Sequence, residues 1–179
     1  MFIYNILKYL IKIIILKGEI KIKYHVLFII SSLRKCGPTN QLYGLIKYLN
    51  KEKFRPTILT LKTEKEELSL KNKFQRLNVK IDSLNLNMIN YFLKSKKRFI
   101  KYLKKYNFDI IHTTGIRPDK LANVFNINNH VSTIRNYAYD DYPVKFGYIK
   151  GNILAYYHLK ILKKIKHTIS CSNTIKNLL

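Results

Sequence analysis

The sequence predicts a doubly wound α/β fold, a mostly parallel sheet with helices on both faces. Three observations carry that prediction. Short runs rich in Val, Ile and Phe alternate with longer stretches of helical periodicity, which is the signature of βαβ units. The first run, Tyr24 to Ile30, is apolar at consecutive positions, as a strand covered on both faces requires. Finally, 179 residues are enough for one domain with a substantial core and short for two.

In order, the run at 24–30 is followed by a loop, Ser31 to Asn40, broken by Gly37 and Pro38. Leu42, Leu45, Ile46 and Leu49 then recur at helical spacing, with Pro38 suited to a helix entrance and Thr39 or Asn40 placed to cap it. Pro56 to Leu61 reads as the second strand, Glu64 to Arg76 as a charged helix and Val79 to Leu84 as the third strand. Met88 to Tyr106 is a long helix. Its apolar face is expected to hold Met88, Phe92, Phe99, Ile100 and Leu103, and its outer face Lys94, Lys97, Arg98, Lys101, Lys104 and Lys105. Phe108 to Thr113 is the fourth strand, Asp119 to Asn126 a short helix and Val131 to Arg135 the fifth strand. A loop with Asn136, Tyr139, Asp140, Asp141 and Pro143 leads into a helical region ending near Lys166, and His167 to Cys171 is the sixth strand. In such sheets ligands bind beyond the carboxyl ends of the strands, so the loops at 31–38, 113–118 and 135–143 should share one rim.

Charge is the unusual feature of the composition. With 34 Lys and Arg against 10 Asp and Glu the formal net charge is +24. An anionic partner follows if the charge is functional: nucleic acid, a membrane face or a phosphorylated ligand. The joint enrichment in Lys, Ile, Asn, Tyr and Phe also fits an A/T-rich coding sequence, which would make some lysines incidental. No RNP, KH or helix-turn-helix pattern is present, so no nucleic-acid partner is expected.

Residues Phe2 to Leu16 are mostly apolar but carry Lys8 and Lys12, and are shorter than the roughly 20 residues of a spanning helix. Residues 1–22 therefore read as an amphipathic helix, either lying on a membrane surface or packed on its own domain, with 23–179 as the domain proper. No cleavage-site pattern marks a signal peptide. Cys36 and Cys171 are far apart, and the five histidines form no metal-ligand spacing, so neither a disulfide nor a metal is expected. GxGxxG, P-loop and GxSxG patterns are absent, so no bound cofactor is expected.

What remains is Ser31-Ser32-Leu33 with Gly37-Pro38-Thr39-Asn40-Gln41-Leu42, then Phe108-Asp109-Ile110-Ile111-His112-Thr113, Ser132-Thr133-Ile134-Arg135-Asn136 and Ser170-Cys171-Ser172. In this order and spacing the four motifs resemble the N-terminal half of a family 4 glycosyltransferase, from about Tyr24 to the last residue. The resemblance implies one Rossmann-like half of a GT-B fold, whose partner domain holds a nucleotide-sugar donor. It also implies metal-independent sugar transfer with retention, in which the nucleotide sugar is a co-substrate. The donor-binding domain would lie beyond Leu179, so the chain alone is expected to be inactive, as a truncated product or one half of a split enzyme.

By the same resemblance, Cys36, Gly37, Pro38, Thr39 and Asn40 approach the donor phosphates or the acceptor, although Pro38 removes one N–H where many relatives have a second glycine. His112 would lie beside the transferred sugar. Arg135, next to Asn136, would meet a phosphate. Each has a plainer alternative: a simple helix entrance, a buried structural histidine, a surface ion pair. The acceptor is expected to be lipid-linked or a saccharide, and the basic helix from Lys94 to Lys105 would dock on an anionic membrane, or else be a solvated face. The leading expectation is therefore a cytoplasmic enzyme, peripheral on the inner face of the plasma membrane, in surface-polysaccharide assembly. The alternative is a non-catalytic membrane-binding subunit that recruits a separate donor-binding chain, with a basic nucleic-acid-binding protein as the less favoured third reading.

Overall fold

The computed structural model describes residues 23–178 apart from 65, 126 and 128, together with Ile6 and Lys8. Strand β1 (Tyr24–Ile30) is central. It pairs in parallel with β2 (Phe54–Thr60) on one side and with β4 (Ile110–Thr113) on the other, and β3 (Lys80–Ser83), β5 (His130–Ile134) and β6 (His167–Ser170) complete the sheet. The order is β3-β2-β1-β4-β5-β6, parallel throughout. This is the doubly wound, Rossmann-like α/β fold that the alternation predicts, and its strand order reverses between β1 and β4.

Side-chain alternation along β1 divides the core. Val26, Phe28 and Ile30 join one cluster with Leu42, Leu45 and Ile46 of α1 (Gly37–Lys47) and Phe74 of α2 (Lys71–Gln75). Leu27 and Ile29 face the opposite way, onto Tyr91 and Phe99 of α3 (Met88–Lys105) and Leu121 of α4 (Ile116–Asn123). A strand apolar at every position is thus explained by two cores. A third cluster joins Ile134 to Ile161, Leu162 and Ile165, at the end of α6 (Tyr148–Leu162) and just beyond it.

Four local expectations are corrected. The helix expected over 64–76 is a short 3-10 turn (Glu66–Leu68) followed by α2, because Glu64 folds back. Its carboxylate accepts from the Leu33 N–H at 2.7 Å and the Ser69 hydroxyl at 2.9 Å, and Arg34 pairs with Ser69 in an antiparallel bridge. The loop expected over 136–143 is mostly helix α5 (Ala138–Phe146), with Pro143 inside it. Gly147, at φ 83°, turns the chain directly into α6. Helix α1 is capped by Cys36, not by Thr39 or Asn40, and no side chain bonds its cap. On α3 the buried stripe is Tyr91, Ser95 and Phe99, spaced by four, which leaves Phe92 71% and Ile100 39% exposed. Met88's side chain lies outside the described residues.

The amphipathic segment over 1–22 is likewise outside them except at two positions. Ile6 is buried in the α1-side core and Lys8 is exposed. No helix among the described residues is long and apolar enough to cross a membrane.

Candidate functional site

An open cleft of about 590 Å³ lies at the carboxyl ends of β1, β4 and β5, where the strand order reverses. The predicted rim forms: Ser31, Gly37 and Pro38 come from the first loop, Thr114 to Arg117 from the second, and Arg135 and Asn136 from the third. Helix starts face it. Gly37 opens α1 with Pro38 in its first turn, and Gly115, at φ 91°, caps α4. A positive φ of this size favours glycine, so Gly115 is fixed by backbone geometry. Gly37 is not: its φ is not positive, and a Cβ there would meet nothing within 4 Å. Of the residues expected around it, Cys36 and Asn40 stay outside the cleft lining, and Thr39 is buried beneath with its hydroxyl 3.3 Å from Cys36 Sγ.

Electrostatics favour an anion. Lys62, Arg117, Arg135 and Lys145 line the cleft against one carboxylate, Asp141, which is taken by Lys145 at 2.6 Å and by the Asn136 amide at 3.2 Å. Arg135 has no carboxylate within ion-pair distance among the described residues. Burial lowers its pKa to about 10, the sign of a partly desolvated cation.

His112 does not line this cleft. It sits on β4 beside a small hollow that Thr133 and Arg135 share, with Nε2 2.7 Å from Thr133 Oγ1 and its ring edge-on to Phe28. Desolvation lowers its pKa to about 3, so it is neutral at physiological pH. Thr133 does line the cleft, so His112 supports its floor from below.

Beside the cleft is a buried polar hub that sequence reading missed. Asp119, 1% exposed in the first turn of α4, accepts from the hydroxyls of Thr113 and Ser132 on Oδ1 and from His158 on Oδ2 at 2.9 Å. Thr113 also meets His130 Nε2 at 2.7 Å, and burial lowers the His130 pKa to about 4. His158 Nδ1 lies 2.7 Å from the Tyr142 hydroxyl, and both residues line the cleft. The histidines and Asp119 bond to hydroxyls and to one another; no group among the described residues is arranged to hold a metal. Only one signal pointed here: in a chain of ten acids, Asp119 shares a short amphipathic helix with the buried Leu121 and Ala122. His158 and Tyr142 are too distant in sequence for spacing to reveal them.

The basic face of α3 lies away from the cleft. Lys94, Lys97, Lys101, Lys104 and Lys105 are exposed. Arg98 is set apart from them, because it is half-buried and donates to the Leu84 and Asn85 carbonyls at 2.7 and 3.1 Å. Exposed apolar side chains accompany the lysines: Ile89, Phe92 and Leu93 on α3, and Ile149, Ile153 and Tyr156 on α6. The Lys120 ammonium lies 5.9 Å from the Phe92 ring centre and 5.1 Å from that of Tyr157, so the two helices border one surface.

This arrangement defines a class first: a Rossmann-like α/β domain with a cationic cleft at its switch point. A UDP-N-acetylglucosamine 2-epimerase assignment attaches to one solved structure of similar fold, from Listeria monocytogenes, with a TM-score of 0.61 at 15% identity over 89% of this chain and 42% of that one. In sequence the chain is related to glycosyltransferases. Two Escherichia coli proteins named O-antigen biosynthesis glycosyltransferase WclY are each 29% identical over 131 residues, 70% of this chain. The matched region is 32% of those relatives, so the chain spans about a third of their length. No protein-family model matches it.

Proposed function

We propose that this chain is the acceptor-side half of a family 4, GT-B glycosyltransferase of surface-polysaccharide assembly, which moves a sugar from a nucleotide donor to a lipid-linked or saccharide acceptor. Retention of anomeric configuration without an essential metal belongs to the same reading. The observation that carries it is Arg135: a half-buried guanidinium with no carboxylate partner among the described residues, in a cleft where the only acid is already taken. A partly desolvated cation with no salt-bridge partner among the described residues favours an anionic ligand, and guanidinium geometry suits phosphate. The exposed starts of α1 and α4 add backbone N–H groups to the same rim. The kinship to O-antigen glycosyltransferases supports a diphosphate-linked sugar as the source of that phosphate.

Calorimetric titration with UDP and with inorganic pyrophosphate tests this. Both should bind, and Arg135→Gln should weaken both by about 10-fold or more, the worth of one charge-assisted hydrogen bond, without lowering thermal stability. Unchanged affinity in the variant would remove Arg135, and the observation with it.

Membrane association at the inner leaflet is part of the proposal, supported by the Lys-bordered apolar surface of α3 and α6. Apolar insertion ringed by cations suits an anionic bilayer. Flotation with anionic vesicles should fall on Phe92→Ser with Leu93→Ser and vanish with neutral lipid; binding insensitive to both would reject it.

A further inference from the structure

The hub ends at the cleft wall. An ionised carboxylate can only accept, so His158 Nε2, 2.9 Å from Asp119 Oδ2, carries a proton. The second ring nitrogen, Nδ1, lies 2.7 Å from the Tyr142 hydroxyl, which donates to it when the ring is the Nε2–H tautomer. That spends the only proton of the phenol. In that tautomer Tyr142, which lines the cleft, keeps only acceptor lone pairs for a ligand.

The ring is held in place. It stacks on His158 with planes 5° apart, and Phe146 meets it edge-on. Behind it, a Cβ at Gly151 would lie 2.6 Å from the Tyr142 carbonyl carbon, so α6 backs directly onto the α5 backbone at this residue.

We propose that Tyr142, oriented by His158 and Asp119, is a hydroxyl-recognition site, whose phenol oxygen accepts a hydrogen bond from a sugar hydroxyl bound in the cleft. The proposal rests on the reading of the cleft as an anion site and supplies the ligand's second pole. An ionised phosphate oxygen can only accept and gains nothing from another acceptor, whereas Arg135, Lys62 and Arg117 attract it. A hydroxyl is the reverse. The two poles together select a sugar phosphate over phosphate alone, and Asp119 and His158 act as positioning residues through Tyr142.

The experiment is calorimetric titration of the whole chain with inorganic phosphate, glucose 1-phosphate and N-acetylglucosamine 1-phosphate. At least one sugar phosphate should bind about 3- to 10-fold more tightly than inorganic phosphate, the worth of one neutral hydrogen bond. Tyr142→Phe keeps the stacked ring and should abolish that preference while leaving phosphate affinity unchanged. His158→Gln removes the Nδ1 acceptor and frees the phenol proton, so the preference should fall although Tyr142 remains. Phosphate binding with no sugar preference, or a Tyr142→Phe loss shared equally by phosphate and sugar phosphate, would overturn the hydroxyl site and leave the anion reading standing. No phosphate binding at all would overturn both.

Discussion

The two halves of the sheet bury different chemistry. Around β1, β2 and β3 the buried polar side chains are a few hydroxyls, Thr39, Thr57 and Thr60, in otherwise apolar clusters. Around β4 and β5 the interior holds His112, Thr113, Asp119, His130, Ser132, Thr133 and His158. The first half is held mainly by removal of apolar surface from water, which is indifferent to direction. In the second, no buried side-chain nitrogen or oxygen among the described residues lacks a hydrogen-bond partner, and the network fixes side chains beside the cleft. The scaffold and the site thus divide along the strand-order reversal, and the polar half is where the cleft acquires its shape.

Truncation of each half should cost a similar amount by different routes. Phe74→Ala removes a fully buried ring from the apolar half and should cost about 3–5 kcal/mol. Asp119→Ala strands the Thr113 and Ser132 hydroxyls and His158, and should also cost about 3–5 kcal/mol, since each buried group left without its partner costs about 1–3 kcal/mol. Urea denaturation measures both. The comparison would break if Asp119→Ala were neutral.

Acid separates the halves more sharply. His112 and His130 have folded pKa values of about 3 and about 4, below the ordinary value of 6.5. Between those limits the unfolded chain binds protons that the folded chain refuses, so stability rises with pH and falls as pH drops from 6.5 toward 4. Each histidine contributes a slope of up to about 1.4 kcal/mol per pH unit in that window. The double variant His112→Gln with His130→Gln should reduce the slope to the share left by His25 and His167, whose pKa values burial also lowers, while Phe74→Ala should displace the profile downward in parallel. Denaturant midpoints at a series of pH values decide the matter.

Gly151→Ala probes the junction between α5 and α6. The new methyl would lie 2.4 Å from Pro143 Cα and N, backbone atoms that cannot swing aside. The pair must separate, at a cost of about 1–3 kcal/mol in a thermal melt. Tyr142 moves with it. Loss of sugar-phosphate preference in a still-folded Gly151→Ala would tie the hydroxyl site to this packing.

The apolar half was legible in the sequence, and the polar half was not. Consecutive apolar residues at Val26 to Ile30 read as a doubly covered strand, and parallelism followed from alternation. On α3 the stripe was misread because Phe92 looks like core, yet the helix turns Tyr91 and Ser95 inward, where Tyr91 donates to the Arg117 carbonyl at 2.9 Å. Helix α5 was hidden by Pro143, tolerated there in a nine-residue helix that ends at Phe146. Asp119, His158 and Tyr142 meet only because α4, α5 and α6 pack together, and no spacing rule encodes that. Arg135 was reachable because it directly follows a strand, where a loop rim is expected.

Gly37 offers the smallest effect on stability and the finest discrimination. Unlike Gly115 and Gly147 it has no positive φ, and unlike Gly151 it has no neighbour that a methyl would strike. Gly37→Ala should therefore change the unfolding free energy by less than about 0.5–1 kcal/mol, and should favour the folded state if anything, because alanine lowers the entropy of the unfolded chain. The open space beside it faces the cleft. A phosphate that approaches the start of α1 closely would meet the new methyl, so pyrophosphate affinity should fall although stability does not. If affinity is unchanged, the anion is held by Arg135 and the α4 side alone, and the apolar half contributes walls but no contacts.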